Sequence, residues 1–598
     1  MNDASDHLKF AQQADRIADL RAAMAAAGVD GYVVPRADEH QCEYVATYAE
    51  RLKWLTGFSG SAGAAIVLKD KAAVFIDGRY TLQVKSQVDG ALYQYRHLVD
   101  EPPQDWLAEN TGQGAKIGFD PKLFTPAGLA KLEDGCKKAG ASLTPVAGNL
   151  IDQIWSDQPP RPTSPAIVYP EKFAGRSSAQ KRELVSAWLK KEGHDAFLFS
   201  AADSIAWLFN IRGDDVEFTP VVLAYALVTT SGAATLFIDP TKLTPEVRAH
   251  LGKDVALAPY EGIAEAIKGL AKIALDRDSG SRWLHDLVTA AGVDAKAMPD
   301  PVIPLKAKKA AAEIEGVRGA HVRDGAALTR FLAWFAREAP KGGLSEISAA
   351  DKLESFRKVD NLYRGGSFPT IAGAAGNGAI VHYRASPETN ATIKPDMVVL
   401  IDSGGQYLDG TTDVTRTVVI GRATPEQKRR FTLVLKGHIA LGSARFPKGT
   451  TGSQLDALAR HALWQEALDY DHGTGHGVGT FLGVHEGPQR ISKVGNTVAL
   501  EPGMLISNEP GYYKTGEYGI RIENLVFVRE AATGGEKPVY DFETITLAPI
   551  DRNLIEPSLL SDAEKIWLNA YHARVRETLS PLLDAETRAW LATATAAV

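Results

Sequence analysis

The chain has 598 residues, of which 45% are hydrophobic and 23% charged, with a formal net charge of −7. That is an ordinary globular mix with enough material for three or four domains, and its acidic balance argues against a nucleic-acid partner, which shows as a basic face. Two cysteines, Cys42 and Cys136, are too few for a disulfide framework or a cysteine-ligated zinc site.

The opening Met1-Asn-Asp-Ala-Ser-Asp-His7 lacks the basic-then-apolar pattern of a secretory leader, and no apolar run approaches the roughly 20 residues of a membrane span. The expectation is a cytoplasmic protein with no membrane partner. Two early stretches echo each other. Leu20 to Met24 and Leu184 to Trp188 carry a helical pattern, followed by Gly28-Val-Asp30 or Gly193-His-Asp195 and then an apolar run of strand character. A Trp-Leu pair comes next in each (Trp54-Leu55, Trp207-Leu208), and each closes on Phe-Ile-Asp, at Phe75–Asp77 and Phe237–Asp239. Matching elements in matching order predict two related α/β domains, and only two copies rule out a solenoid.

The proline-rich Asp157–Pro165 reads as a linker between them, and the second domain is expected to end near Pro301-Val-Ile-Pro304. Lys308 to Glu338 then has the spacing of a long helix, with Val317, Ala320, Leu328, Phe331 and Phe335 on its apolar side. The predicted domains are 1–157, 158–305 and 306–598. The tail from Asp562 is also helical, with Leu568, Tyr571, Val575 and Leu579 on one face as core packing.

A second echo lies in the third domain and carries acids. One segment runs Met397-Val-Val-Leu-Ile-Asp402, then a Gly-rich turn, then Asp413-Val-Thr-Arg-Thr-Val-Val-Ile420. The other runs Met504-Leu-Ile-Ser-Asn-Glu509, then Pro-Gly, then Gly519-Ile-Arg-Ile-Glu523-Asn-Leu-Val-Phe-Val528. Runs such as Val398–Ile401 and Leu525–Val528 have no polar relief, as in strands covered on both faces. Ionised carboxylates at the ends of such strands are costly and repel one another. Two divalent cations, +4 against −4, resolve the conflict; the alternative is four unrelated surface acids, which the repeated placement disfavours.

Between the acid pairs lies His472-Gly-Thr-Gly-His476-Gly-Val-Gly479. Four glycines in eight residues oppose a helix, at about 1 kcal/mol each, and favour a loop that approaches a ligand closely while its imidazoles project into a site. His485 follows in Val484-His-Glu-Gly-Pro488, and His382 precedes the acids in Ile380-Val-His-Tyr-Arg384. Each alone reads as an ordinary surface or core histidine; bracketed by acid pairs they read as a site.

These segments, with Asp77-Gly-Arg79-Tyr80 and Asn210-Ile-Arg-Gly213 further upstream, resemble the pita-bread metallopeptidase family over nearly the whole length, in its long, three-domain Xaa-Pro aminopeptidase form. The resemblance implies an α/β (α+β) fold: two creatinase-like domains followed by a pita-bread catalytic domain with an internal pseudo-two-fold repeat. It makes Asp402, Asp413, His476, Glu509 and Glu523 the metal ligands. It also puts His382, His472 and His485 around the substrate and directs Arg79 towards it. Arg384 stands where the family has a small residue.

Four carboxylates and one imidazole suit manganese, with cobalt or zinc as substitutes. The implied activity is removal of the first residue from peptides with proline second. In this reading a hydroxide bridging the two metals attacks the scissile carbonyl, Glu509 handles the proton, and His485 steadies the developing oxyanion. His382 and His472 line the proline side, and the enzyme is a homodimer. The rivals are a prolidase-like dipeptidase and, in a different class, an inactive pita-bread binding module.

Overall fold

The computed structural model describes residues 2–532 and 534–598, so Met1, the first residue of the segment read for a leader, lies outside the described residues. The chain forms two compact units: residues up to Tyr169 with Arg176–Val302, and Pro170–Gly175 with Ile303–Val598.

The first unit contains two six-stranded sheets of identical topology. In the first, β1 (Gly31–Pro35), β2 (Gly63–Leu68), β3 (Ala72–Ile76), β4 (Gln94–His97), β5 (Lys116–Phe119) and β6 (Ser142–Pro145) lie in the order 4-3-2-1-5-6. In the second, β7 (Ala196–Phe199), β8 (Tyr225–Thr229), β9 (Ala234–Phe237), β10 (Val255–Ala258), β11 (Lys272–Asp276) and β12 (Asp294–Met298) lie in the order 10-9-8-7-11-12. Strand directions match as well: β1 pairs antiparallel with β2 and parallel with β5, as β7 does with β8 and β11.

The echoed helices are α1 (Asn2–Ala26) and α2 (Ser178–Glu192). Helix α2 opens on a capping box between Ser177 and Gln180 and ends at Gly193, whose φ of 69° is one that L side chains rarely adopt. Ile17, Leu20 and Met24 of α1 are buried with Tyr32 and Val34 of β1 in one apolar cluster. Asp157–Pro165 has no regular element. The last passage from the first unit to the second falls between Val302 and Ile303, inside the short helix Val302–Ala307.

The second unit opens with α3 (Ala311–Glu338), on which Val317, Ala320, Leu328, Phe331 and Phe335 are all buried. Strands β13 (Ile371–Ala374), β14 (Val398–Ser403) and β15 (Val414–Val419) form one antiparallel sheet. Further along come β16 (Gly475–Gly477), β17 (Glu486–Ile491), β18 (Leu505–Asn508), the hairpin β19 (Gly511–Lys514) and β20 (Tyr518–Arg521), then β21 (Asn524–Glu530) and β22 (Val539–Thr544). Here β22, β21, β18, β16 and β17 lie side by side.

The two acid-bearing halves are built alike. β14 pairs antiparallel with β15 up to Ser403 opposite Val414, and β18 pairs antiparallel with β21 up to Asn508 opposite Asn524. Apart from half-buried Val418, the apolar residues of these strands are buried, in clusters with residues of α3, α4 (Pro425–Gly442), α5 (Gly452–Trp464) and α6 (Asp562–Leu579). The predicted stripe of α6 (Leu568, Tyr571, Val575, Leu579) is part of that core. The carboxylates stand at or beside the ends of these strands, while Thr415, Arg416 and Thr417 are buried within β15.

Candidate metal centre

Asp402 is the penultimate residue of β14, and Asp413 immediately precedes β15. Glu509 immediately follows β18, and Glu523 immediately precedes β21. The strand pairing thus carries all four carboxylates to strand ends, and the side chains of Asp402, Asp413 and Glu523 are buried. His476 comes from the middle of β16, the strand between β18 and β17. Ligand atoms of Asp413, His476 and Glu523 lie within 4.8 Å of one another.

The histidine's orientation follows from its backbone. Its N–H donates to Ser507 Oγ (2.9 Å), and Nδ1 lies 2.9 Å from the Gly477 carbonyl. A carbonyl can only accept, so the ring proton sits on Nδ1. Nε2 then faces Asp413 Oδ2 at 3.5 Å and Glu509 Oε1 at 3.4 Å. This is the arrangement of a metal-ligating imidazole, with one nitrogen steadied by an acceptor and the other presented to the site.

The carboxylates are held from outside by short hydrogen bonds. Thr415 Oγ1 donates to Glu523 Oε2 (2.7 Å), Ser507 Oγ donates to Glu509 Oε1 (3.1 Å), and the Glu509 N–H donates to the Thr474 carbonyl (2.8 Å). Arg521, fully buried in β20, gives Nη2 to Asp402 Oδ2 (2.6 Å), Nε to Thr415 Oγ1 (3.1 Å) and Nη1 to the Tyr513 hydroxyl (2.6 Å). That hydroxyl lies 2.8 Å from His472 Nε2.

Electrostatically the cluster is overloaded with negative charge. Burial first, and then the neighbouring carboxylates, push Asp413 and Glu523 well above the usual carboxylate range. Burial likewise pushes Glu509 up to about 7, with Asp402 adding to the rise and Arg521 opposing it. Asp402 Oδ1 is buried without a hydrogen-bond partner. Groups this buried and this mutually repulsive are stable as anions only beside multivalent positive charge. A hard, oxygen-rich donor set with one imidazole nitrogen fits divalent first-row cations.

The other predicted residues are placed as follows. The ring of His485, one residue before β17, stands edge-on to that of His476, with centroids 4.4 Å apart and planes at 87°, and its charge acts on both Asp413 and Glu509. His472 is half-buried, joined to the cluster through Tyr513 and Arg521. His382 is half-buried on the segment after β13. Its neighbour Tyr383 is anchored by a hydroxyl hydrogen bond to Glu346 Oε2 (2.8 Å), and Arg384 is exposed. Arg79 belongs to the first unit, where Asp77 Oδ2 accepts from its Nη2 at 2.6 Å.

Sequence reasoning did not single out Arg521, Thr415, Tyr513 or Arg416. Arg416, buried in β15, gives Nη1 to the Glu523 carbonyl (2.6 Å) and Nη2 to the Tyr571 hydroxyl (2.9 Å) and the Asn524 side-chain carbonyl (2.8 Å). The usable signal was an arginine in or at the end of a strand, Arg416 in Val-Thr-Arg-Thr-Val-Val and Arg521 in Tyr-Gly-Ile-Arg: such a residue must find a partner when buried.

Residues 315–530 match the model of metallopeptidase family M24, residues 538–598 the C-terminal region of that peptidase, and residues 16–154 and 157–313 each match a creatinase/prolidase N-terminal domain. The probable Xaa-Pro aminopeptidase P of Neosartorya fischeri is 44% identical over 607 residues, covering 98% of this chain and 92% of that protein. Its counterpart in Paracoccidioides brasiliensis is 44% identical over 602 residues, covering 96% and 98%. Among solved structures, the X-prolyl aminopeptidase of Caenorhabditis elegans, a cytosolic enzyme with a dinuclear active site, superposes with a TM-score of 0.93 at 35% identity, covering 98% of this chain and all of that one.

Proposed function

The chain belongs to metallopeptidase family M24 as an Xaa-Pro aminopeptidase with a dinuclear metal site, and from that premise we propose that Asp402, Asp413, His476, Glu509 and Glu523 hold its two ions and that these are manganese. The observation that carries the assignment is the buried carboxylate cluster itself, facing the presented nitrogen of His476 and offset only in part by Arg521 and His485. When bound, the ions neutralise the carboxylates, lower the pKa of water and polarise the scissile carbonyl.

The chain's own residues divide the remaining work. Glu509, beside the reacting atoms at the edge of the cluster, accepts a proton from the attacking water and delivers it to the departing proline nitrogen. His485 donates a hydrogen bond to the carbonyl oxygen as it gains negative charge. His472 and His382 border the proline ring. The bond before proline is a tertiary amide without an N–H, so a site that recognises the ring and its fixed φ prefers a substrate that a donor-seeking peptidase binds poorly.

The cytosolic setting of the C. elegans relative and the free thiols of Cys42 and Cys136 support a cytoplasmic enzyme. A homodimer is carried forward from the family resemblance and is read directly by sedimentation of the purified chain.

The decisive experiment is hydrolysis of an Arg-Pro-Pro tripeptide and an Xaa-Pro dipeptide after chelation and after manganese reloading, alongside elemental analysis. The expected result is tripeptide cleavage that disappears on chelation and returns at two manganese ions per chain. Cleavage of the dipeptide alone makes the enzyme a prolidase. Fewer than one ion bound per loaded chain removes the metal assignment and revives the binding-module reading.

A further inference from the structure

Outside the carboxylate cluster, the second unit buries another charged group that the reaction as described does not use. Glu486, the first residue of β17 and the neighbour of His485, has a side chain only 2% exposed. Lys306 Nζ lies 3.1 Å from its Oε2, and Lys309 Nζ lies 2.5 Å from its Oε1. Both lysine side chains are as buried as the carboxylate, at 2% and 1% exposure. Lys309 Nζ also donates to the Lys306 carbonyl (2.9 Å), which ties the two lysines together.

The lysine segment is itself fixed to the sheet that carries the site. The Lys309 N–H donates to the Gly503 carbonyl (3.0 Å), Lys308 bridges to Met504, and Ala307 is packed with Ile506, Val526 and Val528. On the other side Glu486 pairs with Gly477 of β16, and the fit is tight: a Cβ on Gly477 would lie 2.3 Å from the Glu486 carbonyl oxygen. Gly477 directly follows His476, and Glu486 directly follows His485. The strand contact that brings the two imidazoles edge to face is therefore the one whose outer side the lysines grip.

His485 sits at the bend that leads directly into Glu486 and β17, so holding the Glu486 carboxylate on the lysines holds the piece of backbone from which the His485 ring meets that of His476. A buried ion cluster is a poor source of stability, because apolar residues of similar size commonly hold a fold as well or better; its attested use is to select one geometry.

We propose that Glu486, clamped at both carboxylate oxygens by Lys306 and Lys309, is a positioning residue that holds His485 in register with His476 for the reaction. The inference rests on the reading of His485 given above. Lys309→Met leaves Lys306 to balance Glu486 and should fold. The triple variant Lys306→Met/Glu486→Met/Lys309→Met removes every buried charge of the clamp and keeps the test independent of ion-pair stability.

Both variants are expected to bind two manganese ions per chain and to hold KM within about threefold, while kcat falls about 10- to 100-fold, the scale of a misplaced reacting group. The acid limb of the kcat–pH profile is expected to move in both, which a purely structural anchor would not do. A kcat within about twofold of native in either folded variant overturns the clamp. His485→Asn is measured in parallel. If it is impaired while the clamp variants are native, the clamp alone is wrong; if it is itself native, the role of His485 is wrong and the clamp falls with it.

Discussion

Asp413 concentrates the chemistry of the centre in one side chain: buried, with its carboxyl pushed far above the usual range by burial and by Asp402 and Glu509. Asp413→Asn keeps the volume and removes the charge. The expected outcome is loss of manganese binding and of at least about 100-fold in kcat, with an unchanged far-UV circular dichroism spectrum. Because the metal-free protein also loses one partner in a repulsive cluster, its melting temperature without metal should equal or exceed that of the metal-free native chain. Thr415→Val tests the outer support. It deletes the 2.7 Å hydrogen bond to Glu523 and should weaken manganese binding by roughly 10-fold, measured calorimetrically, with little change in fold.

At this scale the four acids were legible because charge is conspicuous beside an apolar strand and the two halves repeat the placement, whereas His476 as their partner came from the family resemblance. Thr415 and Ser507 were not, since a hydroxyl in a strand is ordinary and acquires a role only through the partner across the sheet. The histidines divide in the same way. A Gly-rich loop signalled that His472 and His476 project together, but the contact of His485 with His476 depends on the pairing of β16 with β17.

Among the elements, β16 shows how little freedom the site leaves its backbone. Gly475 has ordinary φ, yet a Cβ there would lie 2.0 Å from the Ser507 carbonyl oxygen on β18. Gly475→Ala forces the His476 strand away from the strand that leads into Glu509. The expected cost is about 1–3 kcal/mol in stability, read from denaturant unfolding, together with loss of the second manganese ion. Sequence periodicity identified α3 and α6 and the apolar runs of β14 and β21, because amphipathic spacing and unbroken apolar stretches follow from which faces are covered. The short strands β16, β19 and β20 could not be read that way. They are three or four residues long, and what makes them strands is the hydrogen bonding of their neighbours.

The described residues fall into two compact units, and the residues proposed to hold the metals all belong to the second. Calorimetry of the chelated protein should therefore show one transition lowered relative to the manganese-loaded form and a second left in place, because a ligand stabilises the unit that binds it. That lowered transition should also depend on pH with a definite sign. Glu509 is raised by burial from its usual 4.5 to about 7, so between those values the folded metal-free chain keeps a proton that the unfolded chain has released. Its contribution to stability is complete below 4.5 and lost as pH rises through about 7. Asp413 and Glu523 are shifted in the same direction and extend the decline upward. Manganese binding requires the ionised forms and releases those protons, so its affinity should rise over the same interval. Melting curves with and without manganese at about pH 5, 6.5 and 8 read both trends; a metal-free transition that rises across that range would contradict them.

The amino-acid order by itself determined the internal duplication of the first unit, the two acid-bearing hairpins of the second, and the demand that cations compensate their carboxylates. These are local or repeated features, and repulsion among buried charges needs no coordinates to be recognised. Tertiary structure alone decided which nitrogen of His476 faces the acids, that Arg521 pairs with Asp402 119 residues away, and that Lys306 and Lys309 close on Glu486. Each of those depends on strands and helices distant in the chain arriving side by side. The energy of a buried charge is set by its neighbours in space, which sequence separation does not record.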